Sequence, residues 1–346
     1  MIFLAGTGGF LAFWTLVGLV NGQAGSKQVL SELMAVSTTI FTAWLGFFAL
    51  RRGIVRAVDE IKAIILAISA METMKLLLVV ASLVYGLKAA QLMEAVFGQA
   101  TVVSGPIGFG LVRMQFPQDI LAPFALFALL TPEVSGVRFG RALTMLISAV
   151  LLVSGFITFS RFIWAAFVVA GLVAIILQRN WKALTFVAVA AAIAIVATGP
   201  FYKAVLYQRF QSHGVEVSDA IRVQQSRALS NDFERSPFLG RGLGGHDSTV
   251  IRSTVAPFSY EVEWLAILMQ FGMIGFAGIL LLVGTAWRDL LKSKHPARFW
   301  VAVIFLMWLA ASFTNPYILT SFAGVTFAMF IAIFHSMRYN LKPKSC

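Results

Sequence analysis

Between Arg141 and Arg179 the chain has one charged residue, Arg161, set in "TFSRFIW" between two apolar runs. A helix needs about 20 apolar residues to cross the hydrocarbon of a bilayer, so each run predicts one spanning helix with almost no loop to spare. The same reading along the chain gives about ten candidate spans, centred near residues 12, 42, 77, 125, 150, 170, 192, 274, 306 and 327. The 346 residues are 59% hydrophobic and 12% charged, whereas a soluble domain is about a quarter charged. A water-soluble protein of this size could not hide so much apolar surface. The expected fold is all-α: a polytopic integral membrane protein of about ten transmembrane helices, with a large outer loop containing short helices.

The formal charge of +12 could signal nucleic acid, but its distribution follows topology. Short basic connections set orientation by staying cytoplasmic. Those holding Arg51, Arg52, Arg56 and Lys62, then Arg138 and Arg141, then Arg179 and Lys182, all fall on one side. So do Arg288, Lys292, Lys294 and Arg298, and a tail with Arg338, Lys342 and Lys344. An even number of spans then places both termini in the cytoplasm. The first span lacks a basic flank and a small-residue cleavage site, so it reads as a retained helix. The single Cys346 permits no intramolecular disulfide.

Three regions follow: an N-terminal transmembrane block of about seven helices at 1–199, a large outer loop at 200–259, and a C-terminal block at 260–346 with about three helices and a basic tail. The outer loop breaks the charge rule, carrying Lys203, Arg209, Arg222, Arg227, Arg235, Arg241 and Arg252. Within it "SDAIRVQQSRALSNDFERSP" predicts a helix, with Ser218 as N-cap and Pro237 as the stop. "FLGRGLGG" predicts a tight loop whose backbone amides could approach a ligand. It has neither the preceding strand nor the following helix of a dinucleotide fingerprint. A second outer loop, roughly 88–118, contains Pro106 and Pro117, which argue against a continuous helix.

Arg161 near membrane depth is either functional or a snorkelling helix-end arginine. Arg222 on the loop helix and Arg241 in the glycine loop are of the type that grips phosphate oxygens with a planar fork; for Arg227 and Arg235 a solvated face suffices. Glu261 and Glu263 open an apolar run, where partial desolvation strengthens a carboxylate as a general base. Helical spacing puts Glu261 on the face of Trp264, Leu265, Leu268, Gly272 and Gly275, while Glu263 needs only a helix-dipole account. His246 in "GGHDS" is an alternative base. Glu72 and Lys75, three apart, read first as a structural pair. No metal-ligand spacing is present, so neither metal nor cofactor is expected.

Taken together, several segments resemble the O-antigen ligase and polymerase family of bacterial envelope enzymes. Family members have an arginine, a spacer, a P-l-f-G-x-G-l-g block and then a polar residue opening a span that ends G-x-x-G. Here these are Arg222, "PFLGRGLGG" from Pro237, and "EVEWLAILMQFGMIG". Ser160 and Arg161 match an S-R pair between two central spans. "RMQFPQDILAPFALF", with Arg113 and Asp119 at polar positions that could contact substrate, and "TNPYILTSFAG" are weaker matches. Counted back from Gly272, Glu261 stands where ligases keep a histidine, which leans towards a polymerase.

The resemblance implies glycosyl transfer at the outer, periplasmic face of the bacterial inner membrane. The partners would be an undecaprenyl diphosphate-linked oligosaccharide, membrane lipid and a protein that regulates chain length, with no nucleic acid. Arg161, Arg222 and Arg241 are assigned to the donor diphosphate, helped by the glycine-loop amides. Glu261 is the base and His246 its alternate. The acceptor is a hydroxyl on a second lipid-linked unit (polymerase) or on a lipid A core (ligase). A lipid-linked oligosaccharide flippase is the rival class. It would place charges near the bilayer midplane and repeat its halves, whereas this chain concentrates them in one loop.

Overall fold

The computed structural model describes residues 2–21, 25–85, 88, 103–108, 111–158, 160–179, 213–251 and 256–339. Its helices are α1 (Ile2–Val20), α2 (Ser26–Arg51), α3 (Ala57–Tyr85), α4 (Leu121–Leu130), α5 (Pro132–Ser135), α6 (Arg141–Ile157), α7 (Arg161–Gln178), α8 (His213–Arg235), α9 (Glu263–Leu291), α10 (Arg298–Ala311) and α11 (Ser321–Tyr339). The protein is helical, with one addition. Strands β1 (Val103–Gly108) and β2 (Leu111–Gln115) form an antiparallel hairpin in the segment of Pro106 and Pro117. Pro106 sits in β1 opposite Val112, beside an irregularity at Gly108, as suits a residue that cannot donate to a ladder.

Nine of the ten predicted span centres fall on these helices; the tenth, near 192, lies outside the described residues. Four helical stretches are long and apolar enough to cross a membrane: Ser26–Arg51, Ala57–Ser82, Arg161–Gln178 and Glu263–Arg288. The others are shorter. α4 has ten residues, about 15 Å of helix, and is buried from Leu121 to Leu129 by its neighbours α3, α6 and α7. A helix apolar on every side belongs inside a protein as readily as in lipid, which is why this stretch reads as a span in sequence.

Two compact units are built from separated segments. The first contains Met1–Leu45, Asp219–Lys292 and Trp308–Ala328; the second contains Gly46–Ser218, Ser293–Met307 and Met329–Cys346. In the second unit, Lys75 Nζ lies 2.8 Å from both Glu72 and Asp119, and all three are buried. Ser154 on α6 donates to Glu72, and Asp119 accepts the Phe116 amide at 3.0 Å. The expected Glu72–Lys75 pair is therefore a three-residue ion cluster tying α3 to α6 and to the start of α4. Burial makes each member dependent on the others, because an unpaired charge there is expensive.

In the first unit α9 is broken. Gly272 has φ 61° and ψ −176°, outside helical geometry, and the glycine loop fills the gap. Arg241 N donates to Met269 O at 2.9 Å, and Gly242 N to Gln270 O at 2.8 Å. From the other side, Met273 N and Ile274 N donate to Pro237 O and Phe238 O. Trp14 on α1 closes the joint, its indole N–H shared between Leu239 O and Phe271 O at 3.0 and 3.1 Å. A Cβ on Gly240 would lie 2.4 Å from Gln270 O, and one on Gly272 2.3 Å from Phe238 O. Close backbone approach is the reason for glycine at both places.

Candidate functional site in the first unit

α8 begins at His213, five residues before the expected cap, so Ser218 lies inside the helix. It stops at Arg235, ahead of Pro237, since a residue before proline is pushed out of helical geometry. Arg222, Gln225, Leu229 and Asp232 recur at helical spacing on one face. Gln225, Leu229 and Asp232 are buried, and Leu229 packs with Tyr260, Ala266 and Met269. This face lays α8 along the segment leading into α9.

At one end of that face Arg222 and Glu261 meet. Arg222 Nε is 2.7 Å from Glu261 Oε2, with the side chains 24% and 18% exposed. Arg222 Nη1 also reaches Asp219 at 2.8 Å. Gln225 Oε1 accepts the Glu261 amide at 3.0 Å. Glu261 does not share a helical face with Gly272 and Gly275 as expected. α9 starts at Glu263, and its break at Gly272 ends any continuous face. Glu261 is fixed by Arg222 and Gln225 instead.

At the other end Arg241 is buried. Its guanidinium donates to Asp232 and, through Nη1, to His246 O at 3.3 Å. Asp232 and Asp247 lie close enough to influence each other's ionisation. Burial pushes Asp232 up despite Arg241. For Asp247, burial pushes up as well, but hydrogen bonds from Thr249 outweigh it and leave this carboxyl below its ordinary value. The Tyr260 hydroxyl accepts the Asp247 amide at 2.8 Å, and burial raises this phenol to about 12. His246 Nδ1 is 3.0 Å from Gly244 O; a carbonyl can only accept, so Nδ1 carries the hydrogen of this contact.

The glycine-loop amides are not available to a ligand as expected. Those of Gly240, Arg241, Gly242, Leu243 and Gly245 bond to backbone carbonyls, and that of Gly244 bonds to Glu32. Glu263 also exceeds its dipole account. It is buried and accepts the amides of Tyr317, Ile318 and Leu319 at 2.7 Å each. The three donors lie in "TNPYILTSFAG", so Glu263 holds that segment to the start of α9.

The remaining site residues belong to the second unit. Arg161 is the first residue of α7, behind an extended Ser160. The positive end of a helix dipole disfavours a cation there, so its position is not explained by helix stability. Arg113 pairs by backbone with Gly105 in the hairpin. Asp119 is the partner of Lys75 described above. Sequence reasoning missed Gln225, Asp232, Asp247 and Tyr260. The spacing of Gln225 and Asp232 from Arg222 was the one available signal. Among the described residues no group of His, Cys, Asp or Glu could hold a metal ion.

Residues 146–280 match the Wzy_C family model, O-antigen ligase. This segment, less than half of the chain, is similar to a family whose members are glycosyltransferase-like enzymes. It holds Arg161, Arg222, Arg241, His246 and Glu261, whereas Arg113, Asp119 and "TNPYILTSFAG" lie outside the matched span. No curated protein and no solved structure matches the chain. Together the apolar helices and the O-antigen ligase-like segment identify a membrane protein.

Proposed function

We propose that the protein is a polysaccharide polymerase of the bacterial inner membrane. It transfers a glycan from undecaprenyl diphosphate to a sugar hydroxyl of a second lipid-linked unit at the periplasmic face. The observation that carries this reading is the 2.7 Å contact between Arg222 and Glu261. It brings a cation suited to diphosphate and a proton acceptor to one partly exposed place. The acceptor hydroxyl attacks the anomeric carbon, and a new C–O bond forms as the bond to diphosphate breaks. The electron pair leaves with the diphosphate, and the hydroxyl proton passes to Glu261. The fork of Arg222 turns towards the departing phosphate, where fixed positive charge lowers the barrier.

Arg241 moves from the diphosphate to the scaffold, since it braces Asp232 and the glycine loop. His246 stays the alternate base, and Arg161 keeps its phosphate role in its own unit. The reaction needs no metal on this reading, because arginine supplies the charge. Ligation to a lipid A core is the second reading, favoured by the description of the matched family. Deleting the gene and examining the surface glycan separates them. A single capped repeat unit is the expected result; long chains stranded on the lipid carrier would establish the ligase.

A further inference from the structure

Gln225 stands one turn from Arg222 on the same face of α8 and is fully buried. Its carbonyl end is committed: Oε1 accepts the Glu261 backbone amide at 3.0 Å. An amide N–H can only donate, so this contact fixes which end of the side chain is oxygen. The nitrogen end therefore points elsewhere as a donor, and Nε2 has no acceptor among the described residues. A buried donor without a partner is costly, and such groups are few in native proteins. Where one adjoins a partly exposed ion pair, a ligand oxygen is a natural partner.

We propose that Gln225 contacts the acceptor sugar, its Nε2 donating to the hydroxyl next to the one that Glu261 deprotonates. The proposal rests on the reading of Arg222 and Glu261 as the reacting pair. A carboxylate that accepts from one hydroxyl beside an amide that donates to its neighbour recognises a vicinal diol. Gln225 thereby does two things with one side chain: its oxygen holds the Glu261 backbone in place, and its nitrogen sets the register of the acceptor ring. A site built around such a contact discriminates strongly, because a sugar without that hydroxyl leaves the donor unpaired again. The choice of acceptor hydroxyl, and so of linkage, would be fixed at Gln225.

The test uses the full-length protein in detergent and the lipid-linked glycan that accumulates in cells lacking it. Gln225→Glu keeps an oxygen for the Glu261 amide and replaces the donor with an acceptor. Gln225→Met removes the donor without adding charge. Both should lose about tenfold or more in kcat/KM at equal amounts of folded protein, judged by thermal unfolding. Gln225→Glu should recover as pH falls and its carboxyl gains a hydrogen to donate. Native turnover by Gln225→Glu would show that only the backbone contact matters and would overturn the proposal. Glu261→Gln is run alongside. If it is inactive while Gln225→Glu is active, the Gln225 contact alone is wrong; if Glu261→Gln is fully active, the reacting pair is wrong and the proposal falls with it.

Discussion

At the residue scale, the pairing of Arg222 with Glu261 gives each a defined loss. Arg222→Ala should lower transfer by about a hundredfold or more, as removal of a preorganised charge does. Arg222→Lys keeps the charge but loses the fork, and should still lose about tenfold. Glu261→Gln should abolish transfer with expression unchanged; the readout in each case is glycan length on a gel. The Asp232–Asp247 pair predicts a pH dependence of stability. Asp232 is raised, so the folded state holds its proton more tightly than the unfolded chain. Its contribution is complete below the ordinary value of 3.8 and is lost as pH rises through the raised one. Asp247 is lowered, so its contribution is present above that ordinary value and is lost as pH falls through the lowered one. Asp232→Asn keeps an oxygen for Arg241 but cannot ionise. Its melting temperature should therefore decline less than the native one as pH rises from 4 towards neutral.

At the element scale, α9 is two helical pieces joined around the glycine loop. Gly272→Ala meets a positive-φ, extended-ψ backbone open essentially only to glycine, costing about 1–3 kcal/mol, and a carbonyl 2.3 Å from the new Cβ. Among the described residues, a Cβ on Gly278, in the same helix, would meet only Phe10, at 3.8 Å. Gly272→Ala should thus sharply reduce accumulation of folded protein in membranes, while Gly278→Ala leaves it unchanged. The sequence showed both glycine clusters but not that they complete one another, because hydrogen bonds between residues thirty apart leave no periodicity. It did predict α8 and its stop, which depend on local signals at Pro237. α8 runs back past Ser218 to His213 because serine's preference for a cap is worth only about 1 kcal/mol and tertiary context overrides it.

At the scale of the whole molecule, hydropathy located the helices it could. A buried apolar helix such as α4 and a lipid-facing one differ in their neighbours, which sequence does not list. Charge patterning isolated the basic segment at 200–259, which supplies Arg222, but its buried polar network was hidden among ordinary polar residues. Gln225 and Asp232 look like any solvated helix face until Glu261 and Arg241 are placed against them. Because the proposed chemistry draws its positive charge from arginine, transfer by the purified protein should survive exhaustive chelation; loss restored by a divalent ion would contradict it.

The joint between the glycine loop and α9 also sets which chain lengths are tolerated. From Pro237 to Gly245 the residue count is locked, since successive amides must meet Met269, Gln270 and Trp14 in step. One residue inserted there puts every later partner out of phase. Beyond the Asp247–Thr249 turn the chain is under no such constraint at the exposed Ile251. A short peptide tag placed between Val250 and Ile251 should be carried without loss of transfer, whereas the same tag between Gly240 and Gly242 should remove the protein from the membrane. Insertion mapping would trace the boundary between counted and uncounted chain to the stretch between Gly245 and Ile251.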